Sequence, residues 1–98
     1  MLAKIKTSLR ISSTAFDAEI QDLINAEIQD LINAALLDLA LAGVLNLDQT
    51  DALIIRAVTT YVKAHFGWDN PDSARLHMSY EMLRNHLTQS IDYTVVEE

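Results

Sequence analysis

Residues 18–42 read AEIQDLINAEIQDLINAALLDLALA, and within them the eight residues Ala18 to Asn25 recur unchanged as Ala26 to Asn33. The stretch holds no Gly or Pro and is dense in Ala, Leu, Glu and Gln. Such side chains lose little freedom in a helix, so a long helix is expected here. At 3.6 residues per turn, an eight-residue shift is about 2.2 turns, which carries the second Ile-x-x-Leu-Ile about 80° round and about 12 Å along from the first. A single flat apolar stripe does not survive that rotation.

With one copy removed, Phe16, Ile20, Leu23 and Ile24 would run on into Ala35, Leu36 and Leu39 at the spacing of an ordinary amphipathic helix, as if an octapeptide had been duplicated inside it. With both copies present, Ile20, Leu23, Ile24, Ile28, Leu31, Ile32, Leu36 and Leu39 cover more than half the circumference. A helix of that kind needs apolar cover on two sides, and in a small domain one side is expected to be another subunit. The plainer alternative is that the extra turns loop out or merely lengthen a surface helix.

Upstream, MLAKIKTSLRI sets Leu2, Ile5 and Leu9 against Lys6 and Arg10, the pattern of a short helix over about 2–11. Ser12, Ser13 and Thr14 break it and offer N-caps to a long helix over about 15–42, with Asp17 in a capping-box position and Gly43 as the stop. Downstream, Asp48 and Asp51 mark the start of a helix over about 49–66. Its β-branched residues would suit a strand, but Arg56, Thr59, Thr60 and Lys63 fall on one helical face. Leu53, Ile54, Val58, Tyr61, Val62 and Phe66 make the rest apolar, so this is the expected central helix, ended by Gly67. Asn70 as N-cap and Pro71 at the first position open a last helix over about 71–88, carried by Leu76, Tyr80, Leu83 and Leu87, with Met78 and Met82 flanking and Trp68 over the end of the core. In the tail, 89–98, Ile91, Tyr93 and Val95 alternate with Asp92 and Thr94 like an extended strand that lacks a partner, expected to dock on a neighbour or remain mobile. The expected fold is therefore all-α: one small domain of about four helices with an extended C-terminal tail.

At 98 residues, half of them apolar and 21% charged, the composition is that of a folded globular domain. The lack of cysteine excludes disulfides and thiolate sites. Neither a signal-peptide pattern nor a run long enough to span a bilayer is visible, so the expectation is a cytoplasmic protein, or one assembled there, with no membrane partner. A formal charge of −7 argues against tight binding of phosphates. That charge is uneven: Lys4, Lys6 and Arg10 precede any acid, whereas Asp17, Glu19, Asp22, Glu27, Asp30 and Asp38 load the long helix without a base. A basic end and an acidic rod on one chain suit head-to-tail contact between copies.

No catalytic site is specified. His65, His77 and His86 lack ligand-like spacing, and His77 with Glu81 reads as an ordinary helix-surface pair. Asp69 and Asp72 lack the glycine and terminal glutamate of a calcium loop, and the only glycines, Gly43 and Gly67, are helix stops rather than a phosphate cradle. No enzyme activity, metal or cofactor is expected.

The opening LAKIKTSLRISSTAFDAEIQDLI, the central IIRAVTTYVKAHFGWDNPDSARL and the later SYEMLRNHLT together resemble the small all-helical head-tail connector, or head-completion adaptor, proteins of tailed bacteriophages and prophages. The resemblance covers nearly the whole chain and lies in composition and order rather than in a catalytic motif. It implies a non-enzymatic structural protein of the virion, present in the host cytoplasm during assembly and linked to DNA packaging. Copies would form a ring beneath the portal that continues the DNA channel and receives a tail or stopper protein, with DNA passing through without tight binding. The duplicated octapeptide is not part of the family pattern, and the added length favours exchange of helices between copies, a swapped oligomer. The residues expected at the subunit interface are Lys4, Lys6, Arg10, Ile28, Leu31, Ile32, Leu36, Ile91, Tyr93 and Val95. The alternative is a small regulatory helical module that binds DNA or a partner protein. Its last helix would have to recognise the target with only Arg75 and Arg84 against Asp72 and Glu81.

Overall fold

The computed structural model describes residues 1–9, 18–66 and 71–94. Among them are five helices and no strand: α1 (Leu2–Ser8), α2 (Ala18–Ala42), α3 (Ala52–His65), α4 (Ser73–Thr88) and α5 (Ile91–Thr94). The architecture is thus the expected small all-α bundle. α3 lies at its centre, packed against both α2 and α4, while α1 rests on α2 and α3. Ile54, Ala57, Val58 and Val62 of α3 are fully buried and meet Ile5, Ile28, Ile32, Ala35, Leu39, Val44, Tyr80 and Leu87 in one core.

The repeat is accommodated as unbroken helix, since α2 runs for 25 residues. It ends where Gly43 takes φ 108° and the two N–H groups after the last turn fold back, Gly43 to Ala40 O (3.1 Å) and Val44 to Leu39 O (2.9 Å). Only glycine adopts that φ cheaply, and Val44 is thereby turned into the core. Asp51, not Asp48, caps α3: its carboxylate accepts from the N–H groups of Leu53 (2.9 Å) and Ile54 (3.3 Å), so the helix starts later than expected. Asp48 instead closes a turn with the N–H and hydroxyl of Thr50, bonds that hold its carboxyl below the usual carboxylate range. α4 also starts late, because Pro71 and Asp72 form a turn and the Ser73 hydroxyl donates to Ala64 O (3.0 Å), tying the start of α4 to the end of α3. The expected caps Thr14 and Asn70, along with Asp17, Phe16, Gly67 and Trp68, lie outside the described residues.

The tail differs from its strand-like reading. Ile91–Thr94 is a single helical turn, closed onto Ser90 O by the N–H of Tyr93 (3.2 Å) and the hydroxyl of Thr94 (3.0 Å). With no neighbouring strand to pair with, its backbone bonds a loop instead: the N–H groups of Leu45 (2.7 Å) and Asn46 (3.0 Å) both donate to Tyr93 O. The Tyr93 hydroxyl completes the attachment by donating to the Asp51 carboxylate (2.9 Å), and partial burial beside that acid raises its pKa.

The 80° offset between the two octapeptides is visible residue by residue. The buried stripe of α2 runs through Ile28, Ile32, Ala35 and Leu39, so the second copy supplies the core. In the first copy the same stripe falls on Gln21, which is 8% exposed, and on half-buried Ile24 and Asn25, whereas the equivalent Gln29 and Asn33 are exposed. The Lys6 ammonium donates to Gln21 Oε1 (3.1 Å), but the buried Asn25 Oδ1 has no partner among the described residues. A desolvated, unbonded carbonyl costs stability. Asn25→Leu is therefore expected to stabilise the fold by about 1 kcal/mol, and Asn33→Leu to leave it within about 0.5 kcal/mol, as read by thermal melts of the two variants.

Candidate assembly interface

Turned away from the core, α2 presents a second face. At 100° per residue, Glu19, Leu23, Glu27, Asp30, Leu37 and Leu41 lie within about 80° of one another, roughly 150° from the buried stripe. All six are exposed, with Leu23 at 67%, Leu37 at 60% and Leu41 at 79%. The helix is therefore apolar on two sides, and its own chain covers one. Past the end of α2 the apolar surface continues in Leu45 and Ile91, 52% and 74% exposed, on the two segments joined by the Leu45 N–H to Tyr93 O bond. Exposed leucines in register along one helix, interleaved with acids, form a surface suited to association rather than to chemistry.

The residues expected at the interface are divided between core and surface. Ile28 and Ile32 are 0% and 1% exposed and belong to the core, while Leu31 and Leu36 are half-buried and packed against it. The offset explains the exchange: once Ala35 and Leu39 set the inner stripe, Ile28 and Ile32 must join it and Leu23 must rotate outward. Ile91 is exposed, but Tyr93 is held by Asp51 within its own chain. Of the bases, Lys4 is exposed, Lys6 is bonded to Gln21, and Arg10 lies outside the described residues, as does Val95. Sequence reasoning passes over the exposure of Leu37, Leu41 and Leu45. For the two on α2, the available signal is their failure to fit the stripe that Ala35 and Leu39 define.

The remaining polar groups brought together across the bundle tie helices to one another. Asp38 of α2 accepts from the Tyr80 hydroxyl (2.5 Å) and the Arg84 guanidinium (3.0 Å) of α4, so this acid of the rod is given a base by its own chain. Burial, and then the bond to Asp38, push the Tyr80 phenol well above its usual range. On the surface of the same helix Arg75 lies 3.4 Å from Asp72, a solvated pair of little energetic weight. An aromatic ladder runs alongside: the Tyr80 and Tyr61 rings meet at 5.1 Å, Tyr61 and His65 at 4.3 Å, and His65 and His77 at 4.5 Å. The fold thus joins two histidines far apart in sequence, yet among the described residues no three metal-ligating side chains come together.

Desolvation, then the neighbouring His77, hold the His65 pKa below 6.5, against the opposing pull of Asp38. A depressed basic group binds fewer protons in the native state than in the unfolded one. Its stability is therefore complete above pH 6.5 and is lost as the pH falls through 6.5 toward the depressed native value. Urea midpoints between about pH 7.5 and about pH 5 should fall on acidification, and the slope should flatten in His65→Gln.

Among known proteins, a family model described as "Phage connector protein" matches residues 1–94. No curated protein and no solved structure matches the chain. No helix of the described residues is long and apolar enough to cross a membrane.

Proposed function

This chain belongs to the phage connector protein family, a family of structural proteins, and from that premise we propose that it is a head-tail connector whose copies close into a ring under the portal and continue the DNA channel toward a tail or stopper protein. The observation that carries the reading is the outer face of α2, where three exposed leucines share the surface with three acids and no base. Its complement sits at the other end of the same chain, on basic α1, where Lys4 is exposed. Because the two patches are different surfaces, copies meet head to tail, and head-to-tail contacts close into rings when the rotation between copies allows.

The net charge of −7 fits a channel wall that DNA slides past, since phosphates find few cations to exchange for their counterions. On this reading the protein is a virion component, assembled in the host cytoplasm with the portal above it and a tail or stopper protein below. Negative-stain images of the concentrated, purified chain should show annular particles with a stain-filled centre. A field of small solid particles at every concentration would remove the ring.

A further inference from the structure

We propose that the groove between α3 and α4 receives segment 95–98, VVEE, from a second copy of this chain. The inference rests on the assembly reading above. The groove is a shallow, solvent-open trough of about 430 Å³, its apolar lining being Leu76, Met82 and Leu83 of α4 and its polar rim including Arg56 of α3 and His86 of α4. Met82 is 72% exposed, and its flexible thioether suits a surface that moulds itself to a partner. Arg56 has no acid three or four residues away on α3 and no ion-pair partner among the described residues. An apolar trough with an unbalanced cation calls for a peptide that is apolar at one end and acidic at the other. The sequence supplies one in Val95-Val96-Glu97-Glu98.

Chain direction assigns the segment to another copy. α5 follows α4 by two residues, and Tyr93 is bonded to Asp51, five residues or about 7.5 Å of helix before Arg56. The chain therefore leaves α5 beside the Arg56 and His86 end of its own groove. Folded back into that groove, the two valines would meet the cation first and the glutamates would run on over Leu76 and Leu83, the wrong polarity at both ends. A segment from a neighbour, entering past Leu76, lays valines on leucines and glutamates on Arg56 and His86.

The chain has no cysteine, so engineered thiols report this contact without interference. Two full-length chains of different tag size, one Met82→Cys and the other Val96→Cys, are sized for assembly, mixed, mildly oxidised and run on a non-reducing gel. A disulfide-linked heterodimer is expected. Its yield should fall about tenfold when Arg56→Glu and His86→Glu accompany Met82→Cys, and recover when the partner carries Glu97→Lys and Glu98→Lys. Assembly without the heterodimer overturns the proposal and leaves the ring standing. A chain carrying both cysteines that links only to itself, at monomer mass, also overturns it. A sample that sizes as monomer before oxidation overturns the assembly reading and the proposal with it.

Discussion

Ile32→Ala is expected to destabilise the fold by about 3 to 4 kcal/mol, whereas Ile24→Ala, the same residue of the first octapeptide, should cost about 1 kcal/mol. Local sequence does not distinguish the two sites, because both lie in the same eight residues and in the same helix. Their surroundings do. Ile32 is 1% exposed in the core shared with α3, while Ile24 is only half-buried at its margin. Truncating the first leaves a cavity lined by side chains that relax only partly, and truncating the second leaves a site that water can reach. Paired urea denaturation curves read the difference as a shift in midpoint at unchanged slope. Equal costs at the two positions would mean that the 80° offset is absorbed by some change in the helix other than the rotation described above.

Leu37→Asp combined with Leu41→Asp should abolish assembly while leaving the chain folded. Both side chains are exposed, at 60% and 79%, so the double change costs the monomer only about 1 to 2 kcal/mol, through helix propensity, an acid in the last turn of α2 and repulsion between the two new carboxylates. At a contact between copies the same two leucines would each contribute about 1.5 to 3 kcal/mol of burial, so their loss raises the dissociation constant at least about 100-fold. The added carboxylates also extend the acidic row of Glu27 and Asp30. Sedimentation velocity paired with far-UV circular dichroism separates the effects: full helicity with loss of the large species is the expected pair of results. Assembly that survives both aspartates would move the contact elsewhere on the molecule.

Helix content and order are readable from the sequence because periodicity is a local property. The polar face of Arg56, Thr59, Thr60 and Lys63 alone decides helix over strand for α3 despite its β-branched residues, and Gly43 marks the end of α2 through a backbone angle that other residues resist. The repeat shows that two apolar faces must exist. Which of the two the chain covers is not readable, since that depends on the packing of α3 against Ala35 and Leu39 rather than on α2 itself. Sequence alone therefore turns Ile28 and Ile32 outward and passes over Leu37 and Leu41. The same limit applies to the contacts that close the bundle. Tyr80 and Arg84 meet Asp38, and Tyr93 meets Asp51, across gaps in sequence that no spacing rule spans. The tail reads as a strand because its apolar residues alternate from Ile91 to Val95, but so short a run does not fix the backbone, and Ile91–Thr94 closes as a helical turn. Its backbone bonds go to Leu45 and Asn46 in the absence of a partner strand.

The most direct test is the mass of the unmodified chain in solution, followed by native mass spectrometry or mass photometry across a dilution series. A closed ring predicts one dominant species at a single whole-number multiple of the 11.0 kDa chain, with no ladder of larger multiples above it. A chain that stays at 11.0 kDa up to high concentration, with the outer leucines of α2 still bare, would contradict the account.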